Sequence, residues 1–395
     1  MLKLAAKSWV AKLLSALFNF GTIIIVSRYL GPADRGVCAL YTVIIAAALV
    51  LNDFAGGPTI IYLMKHCRWV SMRRVYRIWS AIGSCCVCLL FVWWGKIGWP
   101  EFGWLWPICW LSGAIIFQQY LMMGLNKFSW YNILSTCSSA SIMLVLWILL
   151  SCGWLSTTAY LVALASVWFV IMIVGWWMLR PFENAEVPAE MGWREVVRLM
   201  FSKGGLNQSV HLVGILNNRL VYSILSAVSL GAFSNALALA EAMLLLPGSM
   251  GQVFYAKMVT RSETAAGVKA FKSMMKVNIA LLLVGWLAVL IIPGSIYAWL
   301  FGPGFSEVKP LFVVLSAGIV VYGIYLLTSY WQSAAGKFQN NLLSVSVGLV
   351  VNLVGVGILY FTDNMHVSGL TYSLSASFMA IGLASIIQFW RQTSR

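Results

Sequence analysis

Residues 27–36 read SRYLGPADRG and stand between two apolar runs, Trp9–Val26 and Val37–Leu51. These ten residues hold three charges, two glycines and a proline. Gly31, Pro32 and Gly36 can reverse a chain in little space. A short polar knot of this kind between long oily segments is the turn of a membrane hairpin. Arg28, Asp34 and Arg35 then sit where the bilayer meets water.

Outward from that turn, the whole chain has the same texture. Of its 395 residues 61% are hydrophobic and only 9% charged. A soluble domain carries roughly a quarter charged residues, so this chain cannot cover a water-facing surface. Apolar runs of about 20 residues, enough to cross a ~30 Å hydrocarbon core as helix, recur from end to end. Lipid-exposed backbone must satisfy its own hydrogen bonds, and uniformly apolar segments of this length are not the ~10-residue alternating strands of a barrel. The fold class is therefore an all-α polytopic membrane protein with about twelve spans. They are expected near 9–29, 37–63, 78–94, 104–123, 131–151, 157–179, 204–225, 230–257, 277–298, 311–331, 342–360 and 367–389. No hydrophilic stretch is long enough for a separate soluble domain.

The net charge of +15 follows from membrane insertion. With the N-terminus inside, 21 of the 26 basic residues fall on cytoplasmic connections, among them Lys3, Lys7, Arg73, Arg74, Arg77, Lys127, Arg194, Arg198, Lys272 and Arg391. The outer turns hold Arg28, Arg35, Lys96 and Lys309, and Arg219 lies within a span. This is the asymmetry of the positive-inside rule, and it places both termini in the cytoplasm. No nucleic-acid partner is needed to explain the charge. The first apolar run is too long, and lacks the small-x-small site, for a cleaved signal peptide. Cys85 and Cys88 form a C-x-x-C in mid-span without a second pair or a nearby His, so they read as packing residues.

The longest polar interruption is RPFENAEVPAEMGWREVVRLM, 180–200, with four of the eleven acids and two prolines. It divides the chain into an N-terminal six-helix bundle, 1–180, a cytoplasmic linker, 181–203, and a C-terminal six-helix bundle, 204–395. Leu30-Gly31 and Leu230-Gly231 open corresponding long helices and suggest an internal repeat, as in transporters whose substrate sites lie between repeated halves.

Charges inside spans cost at least ~2.5–3.5 kcal/mol at mid-helix, so each needs a cavity or a partner. Lys12, Asp53, Arg219 and Glu241 are such residues, with His211 nearby. At 100° per residue, Asn207, Gln208, His211, Asn218 and Arg219 share an arc of about 120° on the seventh helix, a pattern Asn217 breaks. Ser234, Glu241, Gly248, Gln252 and Tyr255 fall within about 60° on the eighth. Ser8, Lys12, Ser15, Asn19 and Thr22 line the first helix, and Asp53 precedes Gly56-Gly57-Pro58, which can loosen the second. Small polar residues also mediate helix packing in membranes, a lysine can snorkel to the surface, and Arg219 can pair with Glu241. As a cavity, Arg219 with Lys12 would attract anions, since guanidinium grips phosphate with two parallel donors. Asp53 and Glu241 would then carry a coupling H+ or Na+. The pattern calls for no catalytic residue, metal or other cofactor.

These motifs resemble a known family. SRYLGPADRGVCAL (27–40), NDFAGGPTIIY (52–62), SLGAFSNALALAEAMLLLPGSMGQVFY (229–255), LFGPGFSEVKPLFVVLSAGI (300–319) and HVSGLTYSLSAS (366–377) are similar, in order and spacing, to bacterial polysaccharide flippases of the Wzx type. Those proteins belong to the multidrug/oligosaccharidyl-lipid/polysaccharide (MOP) exporter superfamily. The resemblance implies two six-helix bundles around a cavity lined by helices 1, 2, 7 and 8. It implies transport of undecaprenyl-diphosphate-linked oligosaccharide, of the O-antigen type, from the cytoplasmic to the periplasmic leaflet of the bacterial inner membrane by alternating access. Polysaccharide polymerase and chain-length proteins would be its partners beside the lipid bilayer. Arg219, Lys12 and Arg28 match the family's cationic cavity residues, with Asn19, Gln208, His211, Asn218, Gln252 and Tyr255 as polar lining. Arg28, one turn into the membrane, is also placed as an outer gate. A lipid II or teichoic-acid flippase and a multidrug exporter of the same superfamily are the alternatives. A membrane polymerase or ligase fits less well, because every outer connection is only about 5–15 residues and none gathers an acid/base cluster.

Overall fold

The computed structural model describes residues 2–57, 59–64, 69–182, 193–258, 265–335 and 337–393. Among them every regular element is a helix. In chain order these are α1 (Leu2–Asp53), α2 (Thr59–Leu63), α3 (Trp69–Trp93), α4 (Trp99–Gly124), α5 (Phe128–Ser151), α6 (Thr157–Leu179) and α7 (Trp193–Arg219). Then follow α8 (Ala227–Ala242), α9 (Leu245–Met258), α10 (Ala265–Ile291), α11 (Gly294–Phe301), α12 (Val308–Ala334), α13 (Phe338–Phe361) and α14 (Val367–Thr393). α1 is two helices: Gly31, with φ 81° and ψ 179°, breaks it, and Pro32 opens the second. Proline suits that place because the first helical N–H has no intrahelical acceptor anyway. With α8 and α9 joined across their break, and the short α2 and α11 set aside, twelve long helices remain among the described residues. The chain is the all-α polytopic membrane protein expected.

Polarity runs inside out relative to a soluble protein. Leu17 and Val350 are 57% and 58% exposed, whereas Asn52, Asn217 and Asn352 are fully buried. Such a surface is stable only against lipid, where apolar side chains lose nothing by facing outward and amides bond across helices. The connections explain how consecutive helices reverse. Asn126 and Asp363 (φ 59° and 53°) and Gly95 and Gly153 (φ 68° and 72°) adopt the left-handed conformation just past α4, α13, α3 and α5. In each case the next amide reaches back five residues, as in Trp154 N–H to Leu149 O at 2.9 Å and Lys127 N–H to Met122 O at 2.8 Å. This satisfies the last carbonyls and stops the helix within two residues. At the next start, Ser156 accepts the Ala159 N–H at 3.0 Å as an N-cap.

Several spans differ from the sequence expectation, for physical reasons. The second helix ends at Asp53 rather than continuing to 63, because Gly56 and Gly57 (φ 124° and 46°) follow; Pro58 lies outside the described residues. The eighth breaks at Met243–Leu244, where amides turn back three residues to Ala240 and Glu241. Pro247 is the cause, since its ring cannot sit on the carbonyl four residues before it in a regular helix. The third and seventh helices start at Trp69 and Trp193, earlier than expected. Their first two turns carry Arg73 with Arg74 and Arg194 with Arg198 and lie beyond the apolar window, yet nothing there ends a helix. The ninth likewise starts at Ala265 and stops at Ile291 before Pro293, with α11 separate.

The chain divides into two compact units: residues 1–30 with 37–212, and residues 31–36 with 213–395. In the first, α3, α4 and α6 surround buried Tyr76, Phe117 and Gln118. In the second, Phe254, Phe271, Leu327, Trp331 and Phe389 form an aromatic core between α9, α10, α12 and α14. The turn 31–36 groups with the second unit, although the helices it joins belong to the first. Close backbone contact holds it there. A Cβ on Gly36 would strike the Ala227 carbonyl, and one on Gly231 would strike the Pro32 carbonyl. Pro32 and Ala227 are each the first residue of a helix, and Gly36 and Gly231 each lie four residues later. The repeat therefore sets Gly36 against Gly231, not Gly31.

Candidate functional site

The first unit holds its buried acid in a pair of phenols. Asp53 is the last residue of α1 and 8% exposed. Tyr76 of α3 donates to its Oδ1 at 2.9 Å, and Tyr120 of α4 donates to its Oδ2 at 2.7 Å. At the negative end of the helix dipole a carboxylate gains nothing from the backbone, so side-chain donors must hold it. Gln208 of α7, also buried, lies beside the acid across Gly57: a Cβ there would be 2.8 Å from Gln208 Nε2 and 3.3 Å from Asp53 Cβ. Asn52 donates to Ser84 Oγ at 3.3 Å, while Trp79 Nε1 caps the Leu51 carbonyl at 2.8 Å. Asp53 and Gln208, far apart in sequence, thus lie against the same glycine in the first unit.

The second unit holds an ion pair. Arg219, last residue of α7, donates from Nη2 to Glu241 Oε1 and Oε2 at 3.1 and 3.3 Å, and from Nη1 to the Tyr222 hydroxyl at 2.8 Å. Its guanidinium carbon lies 5.1 Å from the Tyr222 ring centroid. The two side chains stay 25% and 35% exposed, so the pair is not sealed. Arg35 of the 31–36 turn is buried, 7% exposed, and donates from Nε to Asn235 Oδ1 at 2.8 Å. Arg35, expected at the water interface, is therefore an interior cation. Asn217, which broke the polar stripe of its helix, faces the other way. Its Oδ1 accepts from Ser377 at 2.8 Å and its carbonyl accepts from Asn352 Nδ2 at 2.9 Å.

The remaining expected residues are dispersed. Arg28, Asn19 and His211 are exposed, and Lys12 and Asn218 half-buried. Asn218 Oδ1 accepts from Asn217 at 3.2 Å. Lys12 and Arg28 stand sixteen residues apart on one helical segment, about 24 Å at 1.5 Å per residue, so no single phosphate touches both. Gln252 and Tyr255 fall on α9, with side chains outside the described residues. Among the described residues no three His, Cys, Asp or Glu side chains converge as a metal site. Tyr76, Tyr120 and Tyr222 were not legible in the sequence, because a tyrosine in an apolar helix looks the same whether it packs or donates.

No family model matches the chain, and no curated protein matches it in sequence. Solved structures do match in fold. An inward-facing multidrug resistance MATE family transporter of the MOP superfamily superposes with a TM-score of 0.71 at 13% identity, over 96% of this chain and 94% of its own. A mutant of the Vibrio cholerae MATE transporter VcmN gives 0.69 at 12% identity, over 98% and 97%. The lipid II flippase MurJ in an inward closed conformation gives 0.67 at 13% identity, over 96% and 86%. Over nearly its whole length, then, the chain has the fold shared by the MATE transporters and MurJ.

Proposed function

We propose that this protein is a secondary transporter that flips a lipid-diphosphate-linked oligosaccharide, of the O-antigen type, from the cytoplasmic to the outer leaflet of a bacterial inner membrane. The observation that carries the reading is the partly exposed Arg219–Glu241 pair. A diphosphate and the Glu241 carboxylate are rival acceptors for the same guanidinium donors. Protonating Glu241 releases Arg219 to a phosphate, and losing that proton recaptures Arg219 and expels the anion. One ion pair so links an ion gradient to the binding of an anionic headgroup. Asp53, held by two hydroxyls, is the second carboxyl able to load and release a proton. The fold supports alternating access as the route. Lys12 and Arg28 lie too far apart for one headgroup, and serve at different points of the path.

The test is export in cells whose own flippase is deleted. Arg219→Ala at normal abundance should reduce surface polysaccharide at least tenfold, and Arg219→Lys should restore part of it. Glu241→Gln should still bind the lipid-linked substrate but lose its response to the proton gradient. Full display by Arg219→Ala defeats the reading. The neutralised Arg219 and the MATE fold together favour a second reading, export of cationic drugs. Drug sensitivity of the deleted strain that the protein relieves, with no change in surface sugar, would select it. Rescue of lipid II export alone would select the MurJ-like substrate.

A further inference from the structure

One end of the second unit brings two helix N-termini to a single cleft. α12 begins at Val308 and α14 at Val367, and the first turns of both line a cleft of about 490 Å³. Lys309 and Pro310 face it from α12, Val367 and Ser368 from α14. Amides in the first turn of a helix lack intrahelical acceptors, and the aligned backbone makes that end positive. Half-buried Lys309 adds a full charge. A Cβ on Gly294 would lie 3.6 Å from its Cδ, so the lysine stem lies against the start of α11. Glu307 lines the same cleft at the N-cap of α12, yet its side chain caps no amide. Among the described residues neither Lys309 nor Glu307 has a side-chain hydrogen bond or ion pair. Two residues apart, they leave the helix in different directions and do not neutralise each other.

We infer that this cleft binds a phospholipid whose headgroup carries both a phosphate and a primary ammonium, of the phosphatidylethanolamine type. The phosphate meets Lys309 and the positive ends of α12 and α14, a setting that favours anions. The headgroup ammonium meets the Glu307 carboxylate, three N–H donors facing a charged acceptor. A choline headgroup has no N–H to donate. One turn further along α12, Val313 and Val314 continue the cleft as an apolar wall for the upper acyl chain. Tyr372, on the other side, is 62% exposed. Tyrosine settles where headgroups give way to chains, with its ring in one and its hydroxyl in the other. Exposed Tyr360 and Phe361 at the end of α13 mark the same boundary. The occupant is a lipid rather than a soluble anion because paired charges and apolar wall occur together. A free phosphate would use only Lys309 and the helix ends.

The test measures lipid binding by the full chain in detergent. Phosphatidylethanolamine should appear as bound adducts in native mass spectrometry and raise the thermal unfolding midpoint. Phosphatidylcholine with the same acyl chains should do both more weakly. Lys309→Gln should weaken phosphatidylethanolamine and phosphatidylglycerol alike, by about fivefold, the effect of one cation beside a headgroup layer. Glu307→Gln should weaken phosphatidylethanolamine but not phosphatidylglycerol, which has no ammonium, so the preference between the two lipids falls. Asp363→Asn, on the turn before α14 and outside the cleft, should change neither. Equal binding of phosphatidylethanolamine and phosphatidylcholine, or a preference unmoved by Glu307→Gln, would overturn the headgroup assignment. An equal loss in Asp363→Asn would reduce the cleft to nonspecific surface charge and overturn the site. Equal stabilisation by free phosphoethanolamine would overturn the lipid as its occupant.

Discussion

At the scale of single residues, Asp53 shows what burial demands. Each carboxyl oxygen takes one phenolic donor, at 2.9 and 2.7 Å, so neither Tyr76 nor Tyr120 is spare. Tyr120→Phe should cost about 1–3 kcal/mol, the range for a hydrogen bond to a charged or fully buried group. In an Asp53→Leu background the same change should cost much less, because the acceptor is gone. Thermal unfolding of the four purified proteins checks this; a Tyr120→Phe cost that survives Asp53→Leu would mean the phenol only packs. Asp53 itself was legible in the sequence, since a lone acid in a span is conspicuous. Its partners were not. They come from α3 and α4, and no local pattern records which tyrosine lies opposite an acid.

At the scale of elements, breaks and close approaches position the polar groups. Asp53 ends α1 before Gly56-Gly57, and Glu241 stands one residue before α8 ends ahead of Pro247. Those breakers were visible in the sequence, and Pro247 should have split the eighth span. What hydropathy could not show was the approach of Gly36 to Ala227 and of Gly231 to Pro32. There a side chain would meet rigid backbone, so the helices must part to admit it. Gly231→Ala and Gly36→Ala are therefore expected to destabilise, with faster amide exchange at 33–36 and 227–231. Gly103→Ala and Gly357→Ala offer the contrast. Nothing lies within 4 Å of a Cβ at either, and alanine gains up to about 1 kcal/mol over glycine in a helix. Unchanged exchange around Gly231→Ala would show that the turn does not depend on this contact.

For the whole molecule, the sequence carried most of the architecture because lipid leaves so few choices. Apolar length set the number of spans, and short turns with a left-handed residue at Gly95, Asn126, Gly153 and Asp363 make successive helices reverse. Which turns face the cytoplasm is then a single binary choice for the chain, and the charge distribution predicts it. With Asn126 inside and Gly153 outside, 21 of the 26 basic residues lie on the cytoplasmic side. The inverted arrangement would require those cations to be carried across the bilayer against the positive-inside bias. The two ends of each short hairpin make the test sharp. A cysteine placed at Asn126 or Lys337 should resist a membrane-impermeant maleimide in intact spheroplasts and react after lysis, while one at Gly153 or Asn364 should react at once. Native cysteines such as Cys152, which is exposed, must first be changed to serine. Labelling in the opposite pattern would invert the topology and reverse the proposed direction of transport.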